Sequence, residues 1–278
     1  MPELPEVERG RRLAERVAVG RTIVKVRCAR DSIVFEDAGP ARMRKALLGR
    51  RVLAVRRRGK HIWFELNQRP WPTFHFGMTG AFHTPGTKQL ELASSSLRTD
   101  DTWPPRFWKI HLWFDDGGEL VMTNKRRLGR VRLREVPLSE PPISELGFDP
   151  LLDLPSPKRF AELLSRRSAL IKALLLDQSF AAGVGNWIAD EVLYQARIDP
   201  RKRAHELARP EIDRLRRTLK AVIEKAVAVD ARKDRFPKTW LFHYRWGKNS
   251  EAKTAHGEKI EHITVAGRTT AWVPEVQQ

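Results

Sequence analysis

A chain of 278 residues in which 52 Lys and Arg stand against 34 Asp and Glu carries a formal charge of +18 and has a pI near 10.6. Such an excess suits a polyanionic partner, because neutralising phosphates releases condensed counterions, while 41% hydrophobic and 31% charged residues exclude a disordered chain. No run approaches the roughly 18 apolar residues of a membrane span, the start MPELPEVERG does not read as a signal peptide, and the lone Cys28 excludes both an internal disulfide and a cysteine-based zinc site. The expectation is an intracellular, soluble nucleic-acid-binding protein of two compact domains and a small appendage.

The first element in chain order is a helix expected from Pro5 to Val17: Pro5 suits the first helical position, Glu6 and Glu8 suit the positive end of the helix dipole, and Val7, Ala14 and Val17 recur on one face. Strands follow, with period two: Val24, Val26 and Cys28; Ile62, Phe64 and Leu66; Trp108, Ile110, Leu112 and Phe114; Val131 and Leu133. Cys28 reads as a small buried apolar side chain rather than a reactive thiol. Short alternating strands punctuated by Gly and Pro predict two sheets forming a sandwich. Residues 84 to 106 (TPGTKQLELASSSLRTDDTWPPR) lack a clean period and predict an exposed loop. The Pro-rich stretch VPLSEPPISELGFDPLLDLPSP marks a boundary. Beyond it the period turns helical: Phe160, Leu163 and Leu164 share a face, Leu170, Leu174 and Leu175 another, and Pro210 opens a helix carrying Ile212, Leu215, Leu219, Val222, Ile223 and Ala226. From Trp240 onward β-type residues return, and a hinge at His256-Gly257-Glu258 predicts a terminal hairpin. The expected division is 1–137, a linker 138–152, a helical domain 153–236 and a hairpin segment 237–278.

The start MPELPEVE, the segments RRGKHIWFEL, FHFGMTGAF and TNKRRLGRVRL, and the run SALIKALLLDQSFAAGVGNWIADEVLYQARIDP together resemble the formamidopyrimidine-DNA glycosylase (Fpg/Nei) family along the whole chain. The chemistry of the N-terminus stands beside that resemblance. Loss of Met1 would leave Pro2 with a secondary amine of reference pKa about 7.7 to 8.0, against about 10.4 for lysine, so much of it is neutral at pH 7 and can attack the anomeric carbon of a deoxyribose. Glu3 beside it would give and take protons. On these two residues alone, a plain extension before a capped helix is the favoured reading.

The resemblance assigns Pro2 as nucleophile, Glu3 as acid and base, and Lys60 to the catalytic site, binding the phosphate beside the lesion; alone, Lys60 reads as a solvated strand-edge residue. FHFGMTGAF resembles the family's H-x-G-M-[ST]-G turn, which gives Met78 a place in the gap left by the extruded base, although a core methionine would read the same. TNKRRLGRVRL matches a segment that commonly reads D-x-R-R-F-G. It implies that Arg126 pairs with the orphaned base and Leu128 is the wedge, with Asn124 standing where aspartate is usual and Leu128 where phenylalanine is usual. The helix-two-turn-helix segment, with Gly183 and Gly185, implies Asn186 as a phosphate ligand rather than a plain cap, supported by Lys172. In ITVAGRTTAWVPEVQQ, Arg268 takes the place of the finger arginine that grips phosphates. Because the segment holds no cysteine, it resembles the zincless-finger branch of plant and fungal members, held by Trp240, Phe242, Tyr244, Trp246 and Trp272 packing as core.

The resemblance therefore implies an α+β protein: an N-terminal β-sandwich flanked by helices, a helix-two-turn-helix domain and a zincless β-hairpin finger, with damaged duplex DNA in a basic cleft between domains. The implied activity is excision of oxidised purines with strand cleavage by β,δ-elimination, without metal or organic cofactor, by a monomer in a nucleus or a bacterial cytoplasm. Two readings stay open beside it: a non-catalytic nucleic-acid-binding protein, and a Nei-like preference for oxidised pyrimidines.

Overall fold

The computed structural model describes residues 1–86, 102–247 and 251–278. Contacts divide them into two compact units, Met1–Glu145 and Leu146–Gln278, and that division falls inside the Pro-rich stretch 136–157. No helix among the described residues is long and apolar enough to cross a membrane.

The first unit opens with α1 (Leu4–Ala18), entered through Pro5 and burying Leu4, Val7, Gly10, Ala14 and Ala18. Gly10 lets the helix lie against Phe76: a Cβ there would come within 2.8 Å of that ring. The chain continues through β1 (Ile23–Cys28), α2 (Pro40–Leu47), β2 (Val52–Arg58), β3 (His61–Leu66), β4 (Trp71–His75), β5 (Ala81–His83), β6 (Trp108–Phe114), β7 (Glu119–Thr123) and β8 (Arg130–Arg134). Two four-stranded antiparallel sheets result, ordered β1-β6-β7-β5 and β2-β3-β4-β8. Between them lies one apolar cluster that includes Ile23, Val55, Ile62, Phe64, Phe74, Phe82, Ile110, Leu112 and Met122. This is the sandwich that the period-two strands predict.

Two local differences have physical causes. Val24, expected on the inner face of β1, is 51% exposed because the register with β6 shifts between Ile23 and Lys25 and moves it outward. The short strand β7 escapes the pattern because Leu120, Val121 and Met122 are all buried, so no polar position alternates with an apolar one, and in β4 the polar Thr73 is itself buried between Pro72 and Phe74. Residues 87–101 of the expected loop lie outside the described residues.

Burial holds the imidazoles of His61, His75 and His83 below their usual range, with His75 and His83 down to about 4. A histidine kept neutral by the fold binds fewer protons than it does unfolded. Its contribution is therefore intact above the unfolded value of 6.5 and lost as pH falls toward 4. His83 bonds Thr123 Oγ1 at 2.9 Å, so His83→Gln keeps a polar partner and removes the titration. Thermal melts at pH 7.5 and 4.5 should show a drop for the parent that shrinks in the variant by up to about 3 kcal/mol. An unchanged drop would exclude His83 from the acid sensitivity.

The second unit holds α3 (Pro157–Ser165), α4 (Ile171–Leu176), α5 (Asn186–Gln195), α6 (Arg209–Ala228), β9 (Glu261–Val265) and β10 (Arg268–Trp272). Ser156 caps α3 by accepting from the Arg159 N–H. All six apolar residues expected on one face of α6 are buried. The hairpin turn lies at Ala266-Gly267 rather than at His256-Gly257-Glu258. Both turn residues have left-handed φ, 50° and 69°, as a two-residue turn matching strand twist requires. His256-Gly257 instead forms a small preceding turn, closed by Thr254 N–H to Glu258 O at 2.9 Å and flanked only by an isolated bridge from Lys253 to Lys259. The expected aromatics pack: Trp240 and Phe242 cluster with Trp187 and Phe236, Tyr244 lies against Leu241, Ile260, Ala271 and Val273, and Arg201 covers the Trp272 ring. Trp246 meets Phe242 edge-on but stays 36% exposed.

Candidate active site

Pro2 and Glu3 are buried at the mouth of α1, Glu3 as its N-cap and only 3% exposed. The Glu3 N–H donates to Glu6 Oε2 at 2.9 Å, which folds the Glu6 carboxyl back toward the chain start. Burial, reinforced by the charge of Glu3, pushes Glu6 up to about 8, so it holds a proton at neutral pH. The N-terminal amine is lowered by burial. Glu3 and Glu6 act against that shift, whereas Lys60 and Arg126 add to it. The fold thus gathers Glu3, Glu6, Lys60 and Arg126 around the chain start.

Lys60 is buried in the Gly59-Lys60 connection between β2 and β3, where Gly59 takes a left-handed φ of 55°. Arg57 holds this turn: its Nη1 donates to Gly59 O at 3.0 Å and its Nε to Glu8 Oε2 at 2.9 Å, tying the turn to α1. Burial opposes the charge on Glu8, but Arg11 and Arg57 hold its carboxyl below the usual range. From the sequence Glu6 and Glu8 read only as helix-dipole residues, and Arg57 carries no signal. The three-residue spacing of Glu3 and Glu6 at a helix start was the available signal, and it reads equally as helix-dipole compensation.

Met78 lies in the Phe76–Gly80 turn, closed by Gly80 N–H to Phe76 O at 2.9 Å and oriented by Gly77 N–H to His75 Nδ1 at 3.2 Å. Arg126 and Leu128 lie in the neighbouring turn, Leu128 45% exposed, large and apolar. Arg127, at φ 56°, anchors that turn to Asp31 at 3.1 Å, and Asp31 also takes Lys109 at 2.7 Å. Although burial works against it, these cations hold the Asp31 carboxyl down at about 2. The two turns interlock. Asn124, 0% exposed, donates its amide to Phe76 O at 2.7 Å and accepts from Gly129 N–H at 3.1 Å, and a Cβ on Gly77 would lie 2.4 Å from the Leu128 carbonyl. Met78, Arg126 and Leu128 are therefore brought together on one rigid pair of turns.

In the second unit Gln178 braces the turn before α5, donating to Leu176 O and Val184 O and accepting from Gly183 N–H at 3.1 Å. Gly185 is the N-cap of α5, so Asn186 is its first helical residue rather than a plain cap. Asn186 Nδ2 donates to Thr269 O at 2.9 Å, while its buried Oδ1 has no hydrogen-bond partner. Arg268 is exposed at the start of β10. Lys172 requires correction: expected beside a phosphate, it is 0% exposed, with its ammonium held by Asp190 and by Thr270 Oγ1. A cation so enclosed acts on the protein itself.

Comparison with known proteins places these features. The N-terminal domain model of formamidopyrimidine-DNA glycosylase matches residues 1–131, and the H2TH domain model of the same enzyme matches residues 146–237. The formamidopyrimidine-DNA glycosylase of Arabidopsis thaliana is 45% identical over 278 residues, covering all of this chain and 71% of that protein. The chain belongs to the formamidopyrimidine-DNA glycosylase family. It is thus a DNA-repair enzyme, a glycosylase of base excision. Two solved structures of one relative support the fold along its full length. Wild-type Lactococcus lactis Fpg (MutM) with DNA containing N7-benzyl-Fapy-dG gives a TM-score of 0.82 at 27% identity, covering 100% of both chains. The same Lactococcus protein with DNA containing an oxidised pyrimidine gives 0.80 at 27% identity and the same coverage.

Proposed function

We propose that this glycosylase also cleaves the strand, with the amine of Pro2, bared by loss of Met1, as nucleophile. The observation that carries the reading is the buried chain start with Glu3, Glu6, Lys60 and Arg126 around it. Burial lowers the amine at the chain start, that of Met1, against Glu3 and Glu6 and with Lys60 and Arg126; the same buried surroundings would favour a neutral Pro2 amine, and the adjacent carboxyl groups can give and take protons. The neutral nitrogen attacks C1′ of the damaged nucleotide, and the glycosidic bond breaks with its electron pair going to the base, which takes a proton from Glu3. The nitrogen then gives its proton to a carboxylate while its lone pair opens the sugar: O4′ leaves C1′ and is protonated, leaving an iminium. The iminium acidifies C2′. Loss of that proton expels the 3′ phosphate, and a second elimination expels the 5′ phosphate.

Oxidised purines are the proposed lesions, formamidopyrimidines and hydantoins ahead of 8-oxoguanine, a reading supported by the formamidopyrimidine DNA held by the Lactococcus relative. That relative's complex with an oxidised pyrimidine keeps the Nei-like preference as the second reading. Single-turnover excision from duplexes carrying a formamidopyrimidine, a hydantoin, 8-oxoguanine or an oxidised pyrimidine tests this. Fastest release of the pyrimidine would replace the purine assignment. Salt-sensitive binding without release of any base would leave only a DNA-binding protein.

Cys28, the sole cysteine, lies in β1 of the first unit. Excision is accordingly expected to be undiminished in excess chelator. A loss restored by zinc would refute the metal-free hairpin.

A further inference from the structure

Five groups that no catalytic step uses meet beneath β10. Asp190, in the second turn of α5, takes Lys172 of α4 on Oδ1. On Oδ2 it takes Arg245 Nε at 3.1 Å, Arg245 Nη2 at 2.5 Å and the Ala271 N–H at 3.2 Å. Lys172 also donates to Thr270 Oγ1 at 2.6 Å. Asp190, Lys172, Arg245 and Thr270 are all buried. Next to Asp190, Glu191 receives the Phe242 N–H at 2.8 Å, so the segment that carries Arg245 is fastened to the same helix.

This cluster joins β10 to α5 one helical turn from a second tie between the same elements, the Asn186 amide on Thr269 O. Thr269, Thr270 and Ala271 are all held, and Arg268 immediately precedes them. A two-stranded hairpin is marginal by itself, and no cysteine is present in this segment to hold a metal. A buried ion pair adds little net stability against a well-packed apolar pair, but it fixes relative position, since a misplaced strand would leave charges buried and unpaired.

We propose that Lys172, Asp190 and Arg245 form a positioning cluster that sets Arg268 and Asn186 in one preformed frame for a DNA phosphodiester. The proposal rests on the reading of Arg268 and Asn186 as phosphate ligands. The cluster touches no DNA; it acts through Arg268.

The test uses the full-length protein and a duplex carrying a tetrahydrofuran abasic analogue, with Kd read by fluorescence anisotropy. Arg268→Ala is expected to weaken binding about tenfold to a hundredfold, as loss of a charge-assisted bond does. Lys172→Met combined with Asp190→Asn removes the pair together and keeps the cluster's formal charge at +1. It should weaken binding comparably. The decisive readout is additivity. If the cluster acts through Arg268, adding Arg268→Ala to the paired change costs no more than about a further twofold. Full multiplication of the two effects would mean a general loss of stability and would overturn the proposal. Should the paired variant not fold, Thr270→Val, which deletes only one tie, is judged by the same cycle. An effect of Arg268→Ala with none from the cluster variants sinks this proposal alone, whereas no effect of Arg268→Ala sinks the phosphate reading beneath it.

Discussion

Pro2→Gly protein is expected to bind abasic duplex DNA normally yet to form a borohydride-stable complex at least about a hundredfold more slowly, and a form retaining Met1 is expected to form none. The difference between the variant and the parent follows from the nitrogen. A secondary amine yields an iminium whose positive charge is permanent. The primary amine of an N-terminal glycine would yield a neutral imine that must first gain a proton, in a pocket where burial, despite Glu3 and Glu6, lowers the amine at the chain start. With Met1 retained, the nitrogen of Pro2 is an amide without a basic lone pair. Trapping of all three forms at similar rates would move the nucleophile elsewhere, and Lys60, buried in the adjacent turn, would be the next residue to test.

Asn124→Ala is expected to slow release of a damaged base by about tenfold to a hundredfold while changing trapping on a pre-formed abasic site by less than about threefold. The side-chain amide donates to Phe76 O at 2.7 Å and accepts from Gly129 N–H. A methyl group makes neither bond and leaves the Phe76 carbonyl and the Gly129 N–H without that partner, at a position 0% exposed in the parent. The turns would separate, carrying Met78 away from Leu128. The family resemblance implies that both residues serve extrusion of the base, and an abasic site has no base to extrude. Equal slowing of both reactions would show that Asn124 supports the fold in general rather than the wedge.

The sandwich and the helical unit were legible because their patterns are local. Period-two strands such as Ile62-Phe64-Leu66 and the long face of α6 need only one buried side to show themselves. Elements buried on both sides, such as Leu120-Val121-Met122, carry no alternation to read. The hairpin turn was misplaced because Gly257 and Gly267 both have left-handed φ, and only the latter pairs with a preceding left-handed residue, Ala266. Among the candidate site residues, Glu3, Lys60 and Arg126 lie near enough to the chain start to act on its amine. Lys172 reads from the resemblance as a support for the phosphate contact, and its burial is not legible because its partner Asp190 lies 18 residues away and a sequence does not state which charges will be buried together. Glu6 was hidden for a related reason: its raised affinity for a proton comes from burial and from Glu3, neither of which is a property of glutamate itself.

The interlocked turns also constrain how this enzyme could be re-engineered. Gly77 admits no Cβ beside the Leu128 carbonyl, and both Gly80 and Gly129 press on the Asn124 amide. Segment 76–80 and segment 124–129 are therefore one cassette split across the chain. A donor loop grafted at either place alone would meet a mismatched partner, so transplanting a new lesion preference requires exchanging both segments from the same donor.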